Sequence, residues 1–419
     1  MKSLAEAVGY EVVGSVEQTR EAESAYLVGR GKAEELAELV KKHGAQRVIF
    51  ENALKPIQAY NLVKLTGVEV IDRFQLILEI FAKRATTREA NLQIRLAMLR
   101  YKLPRARESI RLARLGEQPG FMGLGRYEVD VYTEDMKRQI AHIRRELREV
   151  RREREQHRLK RIETGLPTVA LAGYTNSGKT SLSNWLTKES KPVDLGLFTT
   201  LSPSTRLVSF AGRKALLTDT VGFIDRVPII LIEAFNSTLE ETAYADAIIL
   251  VLDIADTMSE IQRKLDASTN TMQTIGATAV PKVFALNKAD LLPKEETEEK
   301  LRVLNVLIPE PVLISALTGF NINLLEQRVA DALGELIEAS FLLPDLPDVA
   351  AFVHNLYSLA DAVESSPTDK GLRITLKASP QIMEMFRQRI EKYGGRMTTS
   401  QSRAHSYAAP ASPVPEEVS

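Results

Sequence analysis

Short apolar runs alternating with helical repeats organise the middle of the chain. Residues 169–172, 206–210, 214–218, 247–252, 283–286 and 312–314 have strand length and lie between amphipathic stretches. That alternation predicts a doubly wound parallel sheet with its site at the carboxyl ends of the strands. Gly212, between the second and third runs, predicts a hairpin and therefore one antiparallel edge.

The front of the chain shows a smaller version of the same rhythm. Tyr10-Glu11-Val12-Val13-Gly14 reads as a strand, and a helix carrying Leu36, Leu39 and Val40 on one face ends at Gly44. Residues 47–50 and 68–72 read as further strands, predicting a small parallel sheet. From residue 73 to 115 the pattern is helical, with Leu92, Leu96, Leu99 and Leu103 on one stripe beside a cationic face. Pro104 predicts a break or kink there. Residues 116–130 gather glycines around Phe121, Met122 and Tyr127, the composition of a loop. A long helix over 133–162 follows, starting near Thr133, with Met136, Ile140, Ile143, Leu147 and Val150 forming a heptad seam. Its partner is the helix of 88–103, in an antiparallel hairpin. Near the end, 343–347 reads as a linker, Val353, Leu356 and Leu359 begin a helix, 371–377 alternates like a strand and 382–393 returns to helix. Residues 401–419, rich in Ser, Ala and Pro, read as a disordered tail.

The resulting organisation is an α/β unit (1–90), a basic helical hairpin with a glycine-rich loop (91–165), a P-loop doubly wound domain (166–340), a small α+β unit (341–400) and the tail. Composition adds limits. The sequence has no run of apolar residues long enough to span a membrane, no signal-peptide pattern, and no cysteine. Disulfides and thiol chemistry are excluded, and a cytoplasmic location is expected. The five histidines are scattered, without metal-ligand spacing. The net charge of zero conceals an asymmetry: residues 1–165 hold 32 Lys and Arg against 24 Asp and Glu, the remainder 23 against 31. A front half at +8 facing a back half at −8 suggests that the front meets a polyanion.

The chemistry centres on Gly173-Tyr174-Thr175-Asn176-Ser177-Gly178-Lys179-Thr180, between a strand and the helix that opens at Ser181. This is the phosphate-loop pattern G-x-x-x-x-G-K-[ST]. Its N–H groups and the helix N-terminus face a polyphosphate. Lys179 reaches the β- and γ-phosphates, and the Thr180 hydroxyl suits Mg2+. Phe198, Thr199 and Thr200 fall where a mobile switch contacts magnesium and the γ-phosphate. Asp219, ending a strand, suits magnesium, and the Gly222 N–H suits the γ-phosphate. Asn287-Lys288-Ala289-Asp290 and Ser315-Ala316-Leu317 follow two later strands. A carboxylate at Asp290 accepts the paired donors of guanine, which adenine lacks. GTP or GDP is therefore the expected ligand, hydrolysis the expected reaction, and Lys179, Thr200 and Gly222 the expected catalytic groups. Phe223 stands where Ras-like proteins carry a water-orienting glutamine, so intrinsic hydrolysis is expected to be slow. Asn176 has two readings: a ligand for K+, as in potassium-stimulated GTPases, or a stabiliser of the loop.

These motifs, with Leu197-Phe198-Thr199-Thr200-Leu201, Asp219-Thr220-Val221-Gly222-Phe223-Ile224, Ala234-Phe235 and Thr238-Leu239-Glu240-Glu241-Thr242, resemble the HflX family of translational GTPases. The front half shares the likeness through Val28-Gly29-Arg30-Gly31-Lys32, Gln58, Asn61-Leu62, Asp72-Arg73, Ile80-Phe81-Ala82-Lys83-Arg84-Ala85 and Leu103-Pro104-Arg105. The resemblance implies a GTPase that binds the large ribosomal subunit and its RNA and splits or rescues stalled ribosomes. An RNA-binding assembly or dormancy factor that uses GTP for affinity is the alternative. On its own residues Gly29-Arg30-Gly31-Lys32 lacks the full P-loop spacing and reads as a plain strand-to-helix turn in preference to a phosphate site. The resemblance adds a use for it, since some family members bind or hydrolyse ATP through the front domain. A monomer is expected. The chain departs from the family pattern at Gly120-Phe121-Met122-Gly123-Leu124-Gly125-Arg126-Tyr127, at Ser202 and at Asp225-Arg226.

Overall fold

A computed structural model describes residues 1–19, 25–114, 126–163, 165–189, 204–219, 223, 241–344, 360–369, 371–392 and 394–403. Its centre is a six-stranded sheet built from β3 (Thr168–Gly173), β4 (Ser204–Phe210), β5 (Arg213–Asp219), β6 (Ala247–Asp253), β7 (Lys282–Asn287) and β8 (Val312–Leu313). The order is β4-β5-β3-β6-β7-β8, parallel except for β4. Ala211 and Gly212 both have positive φ, 48° and 89°, the backbone of a tight hairpin turn whose twist suits the β4–β5 pair.

Period-two alternation divides this sheet between two cores. Val169, Leu171, Ile249 and Val251 pack with Leu182 and Leu186 of α7 (Lys179–Thr187) and with Ile322, Leu325 and Val329 of α10 (Ile322–Ala332). Ala170, Ala172, Ile248, Leu250 and Leu252 face the other way. They join a cluster with Ile261 and Met272 of α8 (Met258–Thr274) and Leu304 of α9 (Lys294–Leu307). The β6 strand is buried at every position, as a central parallel strand covered on both faces must be.

The front half begins with α1 (Lys2–Val8), followed by α2 (Arg30–His43), β1 (Arg47–Phe50), α3 (Pro56–Thr66), β2 (Glu69–Asp72) and α4 (Arg73–Arg84). The two strands pair in parallel. No strand forms at residues 10–14. Val12 and Val13 are exposed, and Tyr10 is held by its side chain instead: its hydroxyl donates to Glu79 at 2.7 Å, and the Arg47 guanidinium lies 5.1 Å from its ring. Helix α5 (Arg88–Arg114) runs through Pro104 without a break. The residues flanking that proline anchor the helix, since the Tyr101 hydroxyl and the Arg105 guanidinium both donate to the fully buried Asp72. Asp72 also caps α4 by accepting from the Gln75 N–H, and takes the Leu54 N–H at 3.1 Å.

Helix α6 (Arg126–Glu163) starts seven residues before Thr133, so residues 126–130 are helical rather than loop. It packs antiparallel to α5. Arg88 meets Glu146, and Arg95 meets Gln139. The seam is buried at Met136, Ile140 and Ile143. The rest of the glycine-rich segment lies outside the described residues.

A four-stranded antiparallel sheet closes the described chain: β9 (Leu336–Leu343), β10 (Ala362–Thr368), β11 (Gly371–Ala378) and β12 (Arg396–Arg403), in the order β10-β11-β9-β12. Helix α11 (Pro380–Lys392) covers one face, placing Ile382, Met383, Phe386 and Ile390 on Phe341, Ile374 and Leu376. The helix expected from Val353 to Leu359 and residues 404–419 of the tail lie outside the described residues. The sheet is tied to the central one at the β4–β5 turn. Arg213 is buried there and donates to the carbonyls of Ala330 (3.0 Å), Leu333 (2.8 Å) and Gly334, where a cation complements the end of α10. The neighbouring Lys214 N–H donates to Asp361.

Candidate nucleotide site

The phosphate loop joins the end of β3 to the start of α7, and its two glycines are fixed by their neighbours. Gly173 has φ of 144°, and a Cβ there would sit 2.3 Å from the Val251 carbonyl of the adjacent strand. Gly178 has φ of 93°, and a Cβ would sit 2.1 Å from Asn287 Nδ2. Neither position tolerates a side chain. Tyr174 and Phe223 form a parallel bridge, with the Thr175 N–H donating to the Phe223 carbonyl at 2.9 Å and the Phe223 N–H to Gly173 at 3.0 Å. Phe223 is therefore buried under the loop as part of the core.

Lys179 is buried and donates to the carbonyls of Gly173 (3.1 Å) and Tyr174 (2.9 Å). Burial lowers its pKa to about 8, against the opposing pull of the Asp219 carboxylate. Asp219 ends β5 in register with Leu171 and is itself buried. Thr180 opens α7 next to Lys179. A hydroxyl and a carboxylate supplied from adjacent elements form an all-oxygen donor set of the kind that suits magnesium. The Ser177 hydroxyl is buried with no hydrogen-bond partner, an orphaned group inside the loop. Asn176 is exposed with φ of 65°, a left-handed conformation that asparagine tolerates better than most residues.

The base-side residues converge on the same sheet edge. The Asn287 amide donates to the Ser177 carbonyl at 2.9 Å, and its oxygen accepts the Ala316 N–H at 2.9 Å. Lys288, at φ of 70°, pairs with Asp253 at 2.6 Å. The Ser315 hydroxyl donates to Asp290 Oδ1 at 2.5 Å. Asp290 and Leu317 are exposed, whereas Ser315 and Ala316 are buried.

Four expected residues, Phe198, Thr199, Thr200 and Gly222, lie outside the described residues. The others are brought together: Tyr174 to Ser181 on the loop and helix, Asp219 beside them, and Asn287, Lys288, Asp290, Ser315, Ala316 and Leu317 on the following strand ends. Asp253 was missed by the sequence argument, although an acidic residue ending an apolar strand at the carboxyl edge signals the site. Trp185, which lies against Gly319, gave no such signal.

At Gly29-Arg30-Gly31-Lys32, Gly29 precedes α2 and gives its N–H to the Gln18 side chain at 3.1 Å. Arg30 and Lys32 pair with Glu34 and Glu35 of the same helix. Among the described residues, no helix is long and apolar enough to cross a membrane.

A phosphate loop and an Asn-Lys-x-Asp corner joined by Asn287, on a sheet of this order, define a P-loop GTPase, and residues 168–288 match the family described as "50S ribosome-binding GTPase". Residues 1–82 match "GTP-binding GTPase N-terminal", and 84–161 match "GTP-binding GTPase Middle Region". GTPase HflX of Methanocaldococcus jannaschii is 42% identical over 378 residues, 90% of this chain and 92% of that protein. GTPase HflX of Escherichia coli is 35% identical over 394 residues, 92% of this chain and 90% of that one. A solved GTP-binding protein from Sulfolobus solfataricus in complex with GDP is 28% identical, covering 79% of this chain and 93% of its own, with a TM-score of 0.44. The chain belongs to the HflX family of GTPases.

Proposed function

We propose that this GTPase is a nucleotide-gated switch that binds the large ribosomal subunit through its front half and splits or rescues stalled ribosomes. One observation carries the coupling. Leu76, Ile80 and Phe81 of α4 and Ala90 and Ile94 of α5 share a single buried cluster with Phe223 and with Ala170 and Ala172 of β3. That shared packing supports a reading in which a change at the strand next to the phosphate loop passes to the helices that bear the basic hairpin. The +8 charge of residues 1–165 suits ribosomal RNA as the surface met there. The family description matched by 168–288 names the 50S ribosome, which supports the same partner.

In this reading Lys179 neutralises the β- and γ-phosphates, while Tyr174, Asn176, Ser177, Gly178 and Ser181 line the phosphate path. Thr180, Asp219 and Thr200 would hold magnesium, which when bound would offset the negative charge of the polyphosphate. Phe198 and Thr199 carry the first switch, and Gly222 senses the γ-phosphate. Asn287, Lys288 and Asp290 hold the guanine, with the backbone of Ser315, Ala316 and Leu317 closing over its O6. Water attacks the γ-phosphorus of GTP, and the bond from that phosphorus to the β–γ bridging oxygen breaks with GDP as the leaving group. The proton of the water goes to the released inorganic phosphate, and both switches lose the group that ordered them.

The side chain of Phe223 cannot orient the attacking water, so the partner supplies that order. Steady-state hydrolysis by the purified full-length protein tests this directly. A slow rate that rises on adding 50S subunits supports the proposal. A fast rate without them contradicts it. Repeating the assay in potassium and in sodium decides whether Asn176 contributes to an ion site, which a faster rate in potassium would indicate.

A further inference from the structure

The geometry points to Trp185 as a positioning residue for guanine, acting through Gly319. Trp185 lies on α7, two turns beyond Lys179, and is the only tryptophan in the chain. The six-membered edge of its ring covers Gly319, where an added Cβ would meet Cη2 at 2.2 Å and Cζ2 at 2.3 Å. Gly319 has φ of 81°, so two independent constraints select glycine there.

What Gly319 holds is the loop expected to meet the base. Its N–H donates to the Ser315 carbonyl at 2.9 Å, the Ser315 N–H donates to the Phe320 carbonyl at 3.2 Å, and the Thr318 N–H donates to the Ser315 hydroxyl at 3.2 Å. That hydroxyl in turn donates to Asp290 Oδ1. A continuous path therefore runs from the indole ring through Gly319 and Ser315 to the carboxylate that selects guanine. The ring fixes the loop against the same helix that carries the phosphate lysine. It sets the spacing between the phosphate half and the base half of one ligand, so the two halves bind as one. Trp185 remains 45% exposed, and its contact is with Gly319 rather than with Asp290 or the phosphate loop, which makes its role positional.

The inference rests on the assignment of Asp290 and Ser315 to the base. Calorimetry on the full chain with GDP and with tripolyphosphate separates the two ligand halves. Trp185→Ala raises the GDP dissociation constant about tenfold, leaves tripolyphosphate binding unchanged, and is largely rescued by Trp185→Phe. Gly319→Ala weakens GDP binding to a similar extent in the presence of the ring, and less in the Trp185→Ala background, where the clash is relieved. In the parent protein, GDP lowers acrylamide quenching of Trp185 fluorescence, and tripolyphosphate does not. Equal weakening of GDP and tripolyphosphate, or strictly additive effects of the two substitutions, would overturn the inference. So would unchanged GDP binding by Trp185→Ala. An Asp290→Asn control distinguishes the underlying assignment: if it fails to shift preference from GDP toward XDP, the base site itself is misassigned. A normal shift alongside a silent Trp185→Ala sinks only the role of the ring.

Discussion

The Asn287 side chain donates to the Ser177 carbonyl across 110 residues of sequence, at 2.9 Å. Its oxygen accepts from Ala316 at the same distance, so one amide joins the phosphate loop to both base-side segments. Replacing it by alanine leaves a buried carbonyl and a buried N–H unsatisfied, each costing about 1–3 kcal/mol. Asn287→Ala is expected to weaken GDP binding by roughly one to two orders of magnitude. Equilibrium titration checks this, and GTP and GDP should weaken together because the contact precedes any γ-phosphate sensing.

Asp290 offers a different test, of identity rather than strength. Its carboxylate accepts two donors from guanine. An asparagine presents one acceptor and one donor, which matches the carbonyl that xanthine carries in place of the amine. Asp290→Asn should lose GDP affinity and gain XDP affinity, measured by competition. Loss of both without exchange would remove Asp290 from the base.

The Asp72–Arg105 pair fastens α5 to the start of α4. Asp72 is fully buried, and the Arg105 guanidinium donates to it at 3.0 Å and to the Leu54 carbonyl at 2.9 Å. Removing one partner of a buried pair typically costs about 3–5 kcal/mol. The partial exposure of Arg105 and the remaining donors to Asp72 place Arg105→Ala at the lower end. Hydrogen exchange should show faster opening of α4 and α5, with GDP affinity unchanged.

Lys179 predicts a pH dependence. Its folded pKa, lowered to about 8 by burial, lies below the ordinary value of 10.5. Below pH 8 both folded and unfolded states are protonated and the burial penalty is present in full. From there to 10.5 the unfolded chain binds more protons, so the contribution of this residue to stability rises with pH. A bound phosphate raises the folded pKa again. GDP binding near pH 9 is therefore accompanied by proton uptake, visible as a dependence of calorimetric heat on buffer ionisation, and affinity falls as pH rises above 8. Lys179→Met should abolish the uptake.

The central sheet was legible because its strands announce themselves. The run from Ala247 to Asp253 is apolar at six consecutive positions and buried throughout, and Gly212 placed the hairpin. The phosphate and guanine motifs were legible because each sits directly after such a strand. Strands with polar sequence were not. The last strand, Arg-Met-Thr-Thr-Ser-Gln-Ser-Arg, and β10, which contains Pro367, are both edge strands, where a proline costs no interior ladder bond and polar side chains face water. The reading of 10–14 as a strand failed for the opposite reason: two valines suggested one, but no partner pairs with them among the described residues. Pro104 shows tertiary contacts overriding a local signal, with Tyr101 and Arg105 pinned to Asp72. Neither that anchor nor Trp185 over Gly319 is a sequence pattern. Each depends on distant segments meeting in space.

Sucrose-gradient sedimentation of 70S ribosomes with the full-length protein tests the proposed switch most directly. With GTP or a non-hydrolysable analogue, free subunits should rise, with the protein on the large one, and GDP should give no such rise. Intact 70S particles carrying the protein under every nucleotide would contradict splitting and favour an assembly or dormancy factor. No co-sedimentation at all would contradict the ribosome as partner.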